Sequence, residues 1–458
     1  MSIIIPANSA VGGGYDVDNS VRFNGASSDD LTGTPSGTPT SRYKGTLSVW
    51  LKRSAIDEED FIFYGLEGSA NRMKITFKSD NKLQINTIQA GSNNLVYETN
   101  RLFRDVSAWY HIVIAIDTTL GTAGDRCRLY VNGVEETSFA TETDMGSSTS
   151  NFLSTASATV YIGSQGTGNY YDGYMAEFVF IDGQQLAPTD FGEFDEDSGI
   201  WKPIDVSGLT FGNNGFYLDF EDSSALGNDA AGSNNWTTNN LTAIDQTTDS
   251  PTNNFATLNS IDNYYAGGTF SEGNLQVISV NTGYTYNTST FGGATGKWYW
   301  EVKWSAQPTG STNQVQIGIA KRVAASATTW LGSQAYTYGY QGSSGHVQVS
   351  DGNASGSVAT TYAIGDIISV AMDLDNNKIH FAKNGTYTNS SDPAANSGGV
   401  TITAPDSTSG DSGFYFAAFG DGNNSLQETG QFNFGAGPPY AISSGNADGN
   451  GYGNFEYA

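Results

Sequence analysis

Apolar and polar residues alternate along this chain in short runs, and one run shows the pattern plainly. Ile368, Val370, Met372 and Leu374 alternate with Ile367, Ser369, Ala371 and Asp373, the period-two signature of a strand with one buried face. Asp375-Asn376-Asn377-Lys378 then reads as a polar turn, and Ile379 and Phe381 resume the apolar face. Asn384-Gly385 supplies a residue pair that tolerates positive φ, which predicts a further hairpin turn. Residues 109–133, WYHIVIAIDTTLGTAGDRCRLYVNG, repeat the plan as strand, polar loop, strand and Asn-Gly. In GKWYWEVKW, Trp298, Trp300, Val302 and Trp304 share one face, while Tyr299, Glu301 and Lys303 share the other. So bulky an apolar face is predicted to form the inner wall of a sandwich.

No stretch keeps a helical period beyond two turns, and clusters of Gly, Asn, Ser and Thr separate the apolar runs. The fold class is therefore all-β: two antiparallel, jelly-roll-like β-sandwich domains joined by a structured connector. The landmarks place the first sandwich at residues 21–190, the connector at 191–260 and the second sandwich at 261–440. Residues 1–20 and 441–458 are terminal segments. The 56 glycines exceed the roughly 32 expected from average usage, as many tight turns require. Aromatics at 12% against 15% charged residues exclude a disordered chain. With neither a long heptad nor a β-helical repeat, the chain is not a fibre shaft.

Charge narrows the partners. Forty-seven acidic and 20 basic residues give a formal net charge of −27. Such a surface repels phosphate backbones and anionic membranes, so neither nucleic acid nor a membrane is an expected partner. No apolar stretch is long enough to span a bilayer as a helix. Cys127 is the single cysteine, which excludes a disulfide within the chain. MSIIIPANSA lacks a basic residue and has too short an apolar run for a signal peptide. Synthesis in a cytoplasm is expected, with release by something other than secretion.

Several motifs invite chemistry. Asp373, Asp375 and Asn377 fit the first three ligand positions of a calcium loop, but Lys378 replaces the required glycine and Asn384 the bidentate glutamate. Glu193, Asp195 and Asp197 would share a face if their segment were a strand, as glycan-cleaving carboxylates must. They sit, however, in a connector-like stretch, where calcium is the alternative. Gly410-Asp411-Ser412-Gly413 resembles a serine-nucleophile loop, but Phe414 follows where glycine is needed. His111, His346 and His380 have no acidic neighbour in sequence. Gly292-Gly293-Ala294-Thr295-Gly296-Lys297 resembles the end of a phosphate loop, yet Trp298 and a strand follow instead of Ser/Thr and a helix. Without a CxxC pair, a zinc site is not expected. No catalytic residue, metal site or cofactor is therefore assigned, and calcium alone stays open. Binding residues are expected on loops at the sandwich rims. Tyr170, Tyr171 and Asp172 place two aromatics beside an acid, a combination suited to stacking on and hydrogen-bonding a sugar; Trp330 in TTWLGS has the same status.

These residues also carry a resemblance. LSVWLKR, WYHIVIAID, RLYVNG and DGYMAEFVFIDG resemble the laminin-G-like branch of the concanavalin A-like lectin/glucanase superfamily. GKWYWEVKW, IGIA, YTYGYQG, GDIISVAMDLDNNKIHFAKNG and NFGAGPP resemble a SPRY domain. The pairing is similar to virion structural proteins of marine tailed bacteriophages. It implies a non-enzymatic tail-fibre, appendage or capsid-surface component, built into the virion beside other virion proteins and contributing host attachment through a surface glycan or protein. A homo-oligomer, trimeric in fibres, is implied too. By resemblance to SPRY domains, residues 306–313 and 336–340 are candidate contacts. A glycan depolymerase on the first domain and a purely structural decoration protein are the alternatives.

Overall fold

The structure is a computed structural model that describes residues 14–35, 37–68, 70–150, 158–262, 267–307, 314–326, 328–349, 352–353, 360–405, 412–422, 426–448 and 451–458. One compact unit ends at Asn254 and a second begins at Phe255. Their regular structure is β-strand, with short helical turns such as Ala123–Asp125, so the all-β expectation holds.

The first unit holds two eight-stranded antiparallel sheets. One is centred on Lys44–Arg53, with Trp109–Asp117, Cys127–Val131 and Val134–Glu135 to one side. Gly173–Asp182, Ser20–Phe23 and Gln246–Thr247 follow on the other side, and Phe216–Leu218 also pairs with Gly173–Asp182. The other sheet runs from Phe139–Thr143 through Ser92–Leu102, Lys82–Gln89, Asn71–Phe77 and Asp60–Glu67 to Thr159–Ile162, Asp30–Gly33 and Thr237–Asn239. Alternation decides which side chains meet: Val21, Leu47, Val49 and Leu51 of one sheet pack with Phe63, Ile75 and Ile85 of the other, all essentially inaccessible. The predicted loop-linked pair forms with Ile112 opposite Val131 and Ile116 opposite Cys127. Its Asn132 and Gly133 take φ of 49° and 77°, as the Asn-Gly turn requires. Cys127 is a buried free thiol of that core.

The expected connector at 191–260 needs correction. Most of it belongs to the first sandwich. Phe216–Leu218 and Gln246–Thr247 complete one sheet, and Thr237–Asn239 caps the other. Phe191, Val206, Phe211 and Tyr217 pack on Val113, Val179 and Ile181, building a second small core on the outer face of the Lys44–Arg53 sheet. Two ion pairs fasten the same segment. Lys52 Nζ lies 2.7 Å from Asp249, with both side chains buried, and Trp109 Nε1 donates to the other carboxylate oxygen at 3.1 Å. Arg22 meets Asp245 at 3.5 Å. The strands here are two or three residues long, too short for alternation to announce them.

The second unit pairs an eight-stranded with a six-stranded antiparallel sheet. The first holds Thr269–Ser271, Gln276–Ile278, Thr429–Asn433, Lys297–Ala306, Ile367–Asp373, Lys378–Lys383 and Thr386–Tyr387 in that order, and Val400–Thr401 also joins Lys378–Lys383. The second holds Thr285–Gly293, Tyr415–Asp421, Val315–Ala320, Thr337–Gln341, Val347–Val349 and Gly352–Asn353. Trp300, Val302 and Trp304 face Ile317, Ile319, Tyr340 and Phe419 in the core, as the tryptophan spacing predicted. Asp373 pairs with Lys378 across the predicted turn, and Asn384-Gly385 has φ of 46° and 77°.

The face opposite those tryptophans is not left in water. Glu301 is fully buried because residues 455–457 fold back over it. Its carboxylate accepts the backbone N–H of Glu456 at 2.9 Å and of Tyr457 at 2.7 Å, and the Tyr299 hydroxyl at 2.9 Å. Phe455, itself buried, packs edge-on against Tyr299. The terminal segment is thus an integral part of this unit.

Candidate functional site

The loop carrying Tyr170, Tyr171 and Asp172 precedes the Gly173–Asp182 strand at the end of the first sandwich. Asn169, with φ of 51°, turns the chain so that its carbonyl accepts from Phe61 N–H at 3.3 Å. Tyr171 then points inward. Its ring has no exposed surface and meets Phe23 edge-on, and its hydroxyl donates to Lys52 O at 3.1 Å. A ring so enclosed has no face to offer a ligand. Asp172 holds the neighbouring turn by accepting Gly25 N–H at 2.9 Å, and Tyr170 is the ring of the three left half-exposed. Trp330 lies in the second unit, 37% exposed and edge-on to Tyr284 at 5.6 Å. Of the contacts suggested by SPRY resemblance, residues 308–313 lie outside the described residues. Tyr338 and Tyr340 are interior, which removes most of residues 336–340 from a contact surface.

The acidic motifs serve turns. Gly192–Phe194 pairs with Trp201–Pro203 as a small hairpin, and Lys202 lies 3.4 Å from Glu193 and 3.1 Å from Asp195. Asp195 also accepts Ser198 N–H at 2.9 Å and its hydroxyl at 2.8 Å. The Ser198 backbone and hydroxyl, then Lys202, hold this carboxyl well below the usual range, the reverse of what a general acid needs. Asp373 accepts the N–H groups of Asp375 and Asn376 within its turn, at 3.1 and 3.0 Å. Asp375 in turn accepts Gly296 N–H at 2.8 Å, so the phosphate-loop look-alike binds this chain's own carboxylate. Ser412 donates to Lys321 O at 3.0 Å; Gly410 and Asp411 lie outside the described residues.

His111 and Glu177 are among the buried titratable groups of the first unit. His111 stacks on Trp50, and Trp201 Nε1 donates to its Nδ1 at 2.9 Å. Its own proton therefore sits on Nε2 and is donated to Ser48 Oγ at 2.8 Å, so this imidazole cannot act as a base toward that serine. Burial pushes its pKa down to about 3. Glu177, at a strand bulge with φ of 49°, receives the hydroxyls of Tyr217 at 2.8 Å and Tyr15 at 3.2 Å. Burial, first of all, pushes its carboxyl up to about 8.

A pocket that the sequence did not announce opens where the two sheets of the first unit part. It encloses about 130 Å³, with Phe63, Val160, Phe180, Phe216 and Trp236 among its lining. Thr34, Asn214, Ser233, Asn234 and Asn235 supply its polar wall. Gly33 makes it possible: a Cβ there would stand 2.9 Å from the Trp236 ring, which lies against the bare backbone. Phe216 meets that indole edge-on at 4.9 Å. Asp229, buried, fixes the loop by accepting the N–H groups of Tyr217 at 2.9 Å, Ala231 at 3.0 Å and Asn234 at 2.9 Å. Asp182 accepts Asn214 N–H at 3.1 Å and Thr40 N–H at 2.7 Å. The one signal in the sequence was a tryptophan stranded in GNDAAGSNNW, a stretch otherwise polar.

Both units thus belong to the class of antiparallel β-sandwich domains. Residues 23–187 match the concanavalin A-like lectin/glucanases superfamily, and residues 297–436 match the SPRY domain. The chain therefore carries a concanavalin A-like domain followed by a SPRY domain. Similar solved structures include the SPRY domain of human HERC1, at 14% identity over 34% of this chain and 87% of that one, with a TM-score of 0.27. The native heptameric SAP-like pentraxin of Limulus polyphemus has 17% identity over 37% and 78%, TM-score 0.29. A candidate carbohydrate-binding protein from Bacteroides ovatus has 19% identity over 50% and 60%, TM-score 0.36. No curated protein matches the chain.

Proposed function

We propose that this protein is a non-enzymatic structural component of a tailed-bacteriophage virion, in its tail fibre, an appendage or the capsid surface. It contributes attachment by binding a glycan or protein of the host surface. It is made in the host cytoplasm and assembles there as a homo-oligomer with other virion proteins. The binding part of this reading rests on the concanavalin A-like and SPRY domains; the virion part rests on the resemblance of their pairing.

One observation carries the preference for recognition over turnover. The acids around the first unit's loops are engaged in shaping them: Asp182 and Asp229 collect backbone N–H groups, and Asp195 is held ionised by its turn and Lys202. Such loops are pre-organised to present a surface, which lowers the ordering cost of binding. The test is direct. Particles sedimented from a lysate of the producing phage contain the chain by mass spectrometry, and the purified protein releases no reducing ends from host polysaccharide. Finding it free in the lysate and absent from washed particles overturns the virion role. Sugar release that disappears in Glu193→Gln establishes the depolymerase instead.

A further inference from the structure

The geometry points to the Trp236 pocket as a subsite for the acetamido arm of an N-acetylated sugar. The assignment deepens the proposed binding role and rests on it. Size comes first. A cavity of about 150 Å³ lined by apolar side chains holds one benzene, so the 130 Å³ here admits one small group and the atom that bears it. A whole sugar ring in that space would press its hydroxyls against Phe63, Phe180 and Phe216, which offer no partner. A methyl group has no such cost.

The polar wall makes the choice sharper. Asn214 is engaged with Gly37, donating to its carbonyl at 3.1 Å and accepting its N–H at 3.2 Å. Asn234 spends both amide hydrogens, on Asn213 O at 3.1 Å and Gly215 O at 2.8 Å. Its Oδ1 accepts from none of the described residues. Asn235 does the opposite. Its Oδ1 accepts Asp229 N–H at 2.9 Å, and its NH₂ donates to none of the described residues. Among the described residues, the amides of Asn234 and Asn235 therefore leave one acceptor and one donor beside an apolar floor. An acetamido group carries the complement: one N–H, one C=O and one methyl. A plain hydroxyl can likewise donate and accept, but it carries no methyl and leaves the floor empty.

Saturation-transfer NMR on the full chain tests this, with methyl N-acetylglucosaminide and methyl glucoside as probes. The expected result is transfer concentrated on the N-acetyl methyl, with affinity about fourfold or more above that for methyl glucoside, since one buried methyl is at stake. Asn235→Asp keeps the acceptor for Asp229 N–H but turns the free donor into a carboxylate that repels the acetamido carbonyl. It is expected to abolish the preference. Because the two sugars are compared on the same unmodified protein, a folding defect cannot imitate the result. Equal affinity for the two sugars, transfer spread evenly over the ring protons, or a folded Asn235→Asp variant with unchanged preference each overturn the assignment. Those outcomes leave particle association untouched, while absence from particles leaves the sugar preference intact.

Discussion

Replacing Glu301 by glutamine removes a charge that no water reaches and changes the shape hardly at all. Oε1 accepts Tyr457 N–H and the Tyr299 hydroxyl; Oε2 accepts Glu456 N–H and, at 3.5 Å, Asn433 Nδ2. A glutamine that keeps its carbonyl at the first position points its NH₂ at two other donors. One charge-assisted hydrogen bond is lost, and the Glu456 N–H faces a donor in a buried site. Bonds to charged groups contribute about 1.5–3 kcal/mol and an unsatisfied buried donor costs about 1–3 kcal/mol. Because the two overlap, the expected destabilisation is about 2–4 kcal/mol. Glu301→Ala, which strips every partner, is expected to exceed it. The readout is local: hydrogen exchange at the Glu456 and Tyr457 amides accelerates by about 1.5 to 3 orders of magnitude, one order for each 1.4 kcal/mol. First-unit amides such as those of Trp109–Asp117 keep their protection. Unchanged exchange at both tail amides in Glu301→Gln would refute the claim that this carboxylate holds residues 456 and 457 in place.

Two further outcomes follow from buried charges in the first unit. Glu177 has its folded pKa raised from 4.5 to about 8, so between those values the folded state holds a proton that the unfolded state has released. Stability of this unit falls as pH rises from about 4.5 to about 8 and levels off above, and urea midpoints of Glu177→Gln measured across that window lose this part of the slope. Asp249→Ala leaves the Lys52 ammonium buried without its carboxylate and is expected to cost about 3–5 kcal/mol in urea unfolding followed by tryptophan fluorescence. Lys52→Met combined with Asp249→Leu costs less than Asp249→Ala alone; a double variant at least as damaged as the single one would refute the charge argument.

How far the sequence could be read depends on the reach of each interaction. Strands of seven residues or more, such as Ile367–Asp373 and Lys297–Ala306, are written in their own alternation. So are turns whose φ values call for Asn-Gly. What stayed hidden depends on partners distant in the chain. Parity put Glu301 on the face opposite the tryptophans, and it is the return of residues 455–457 that encloses it. Tyr171 looked like a loop aromatic because nothing local reveals that Phe23 and Lys52 surround it. The pocket needed Gly33, Phe63, Phe216 and Trp236 brought together from four segments, and no periodicity encodes that meeting. Tyr170 and Trp330 are partly open to solvent.

The closure of the first sandwich by Phe216–Leu218, Thr237–Asn239 and Gln246–Thr247 has a bearing on biosynthesis. The stretch that matches the superfamily stops at 187, yet two of these late strands pair with Ser20–Phe23 and Asp30–Gly33. On the ribosome, the earliest strands must therefore wait for more than two hundred residues before their last neighbours emerge. Until then bare edges stay open to other nascent chains. A fragment cut at the family boundary keeps those edges for good and would be sticky from birth, whereas one ending after Asn254 leaves the tunnel with Ser20–Phe23 and Asp30–Gly33 paired on both sides.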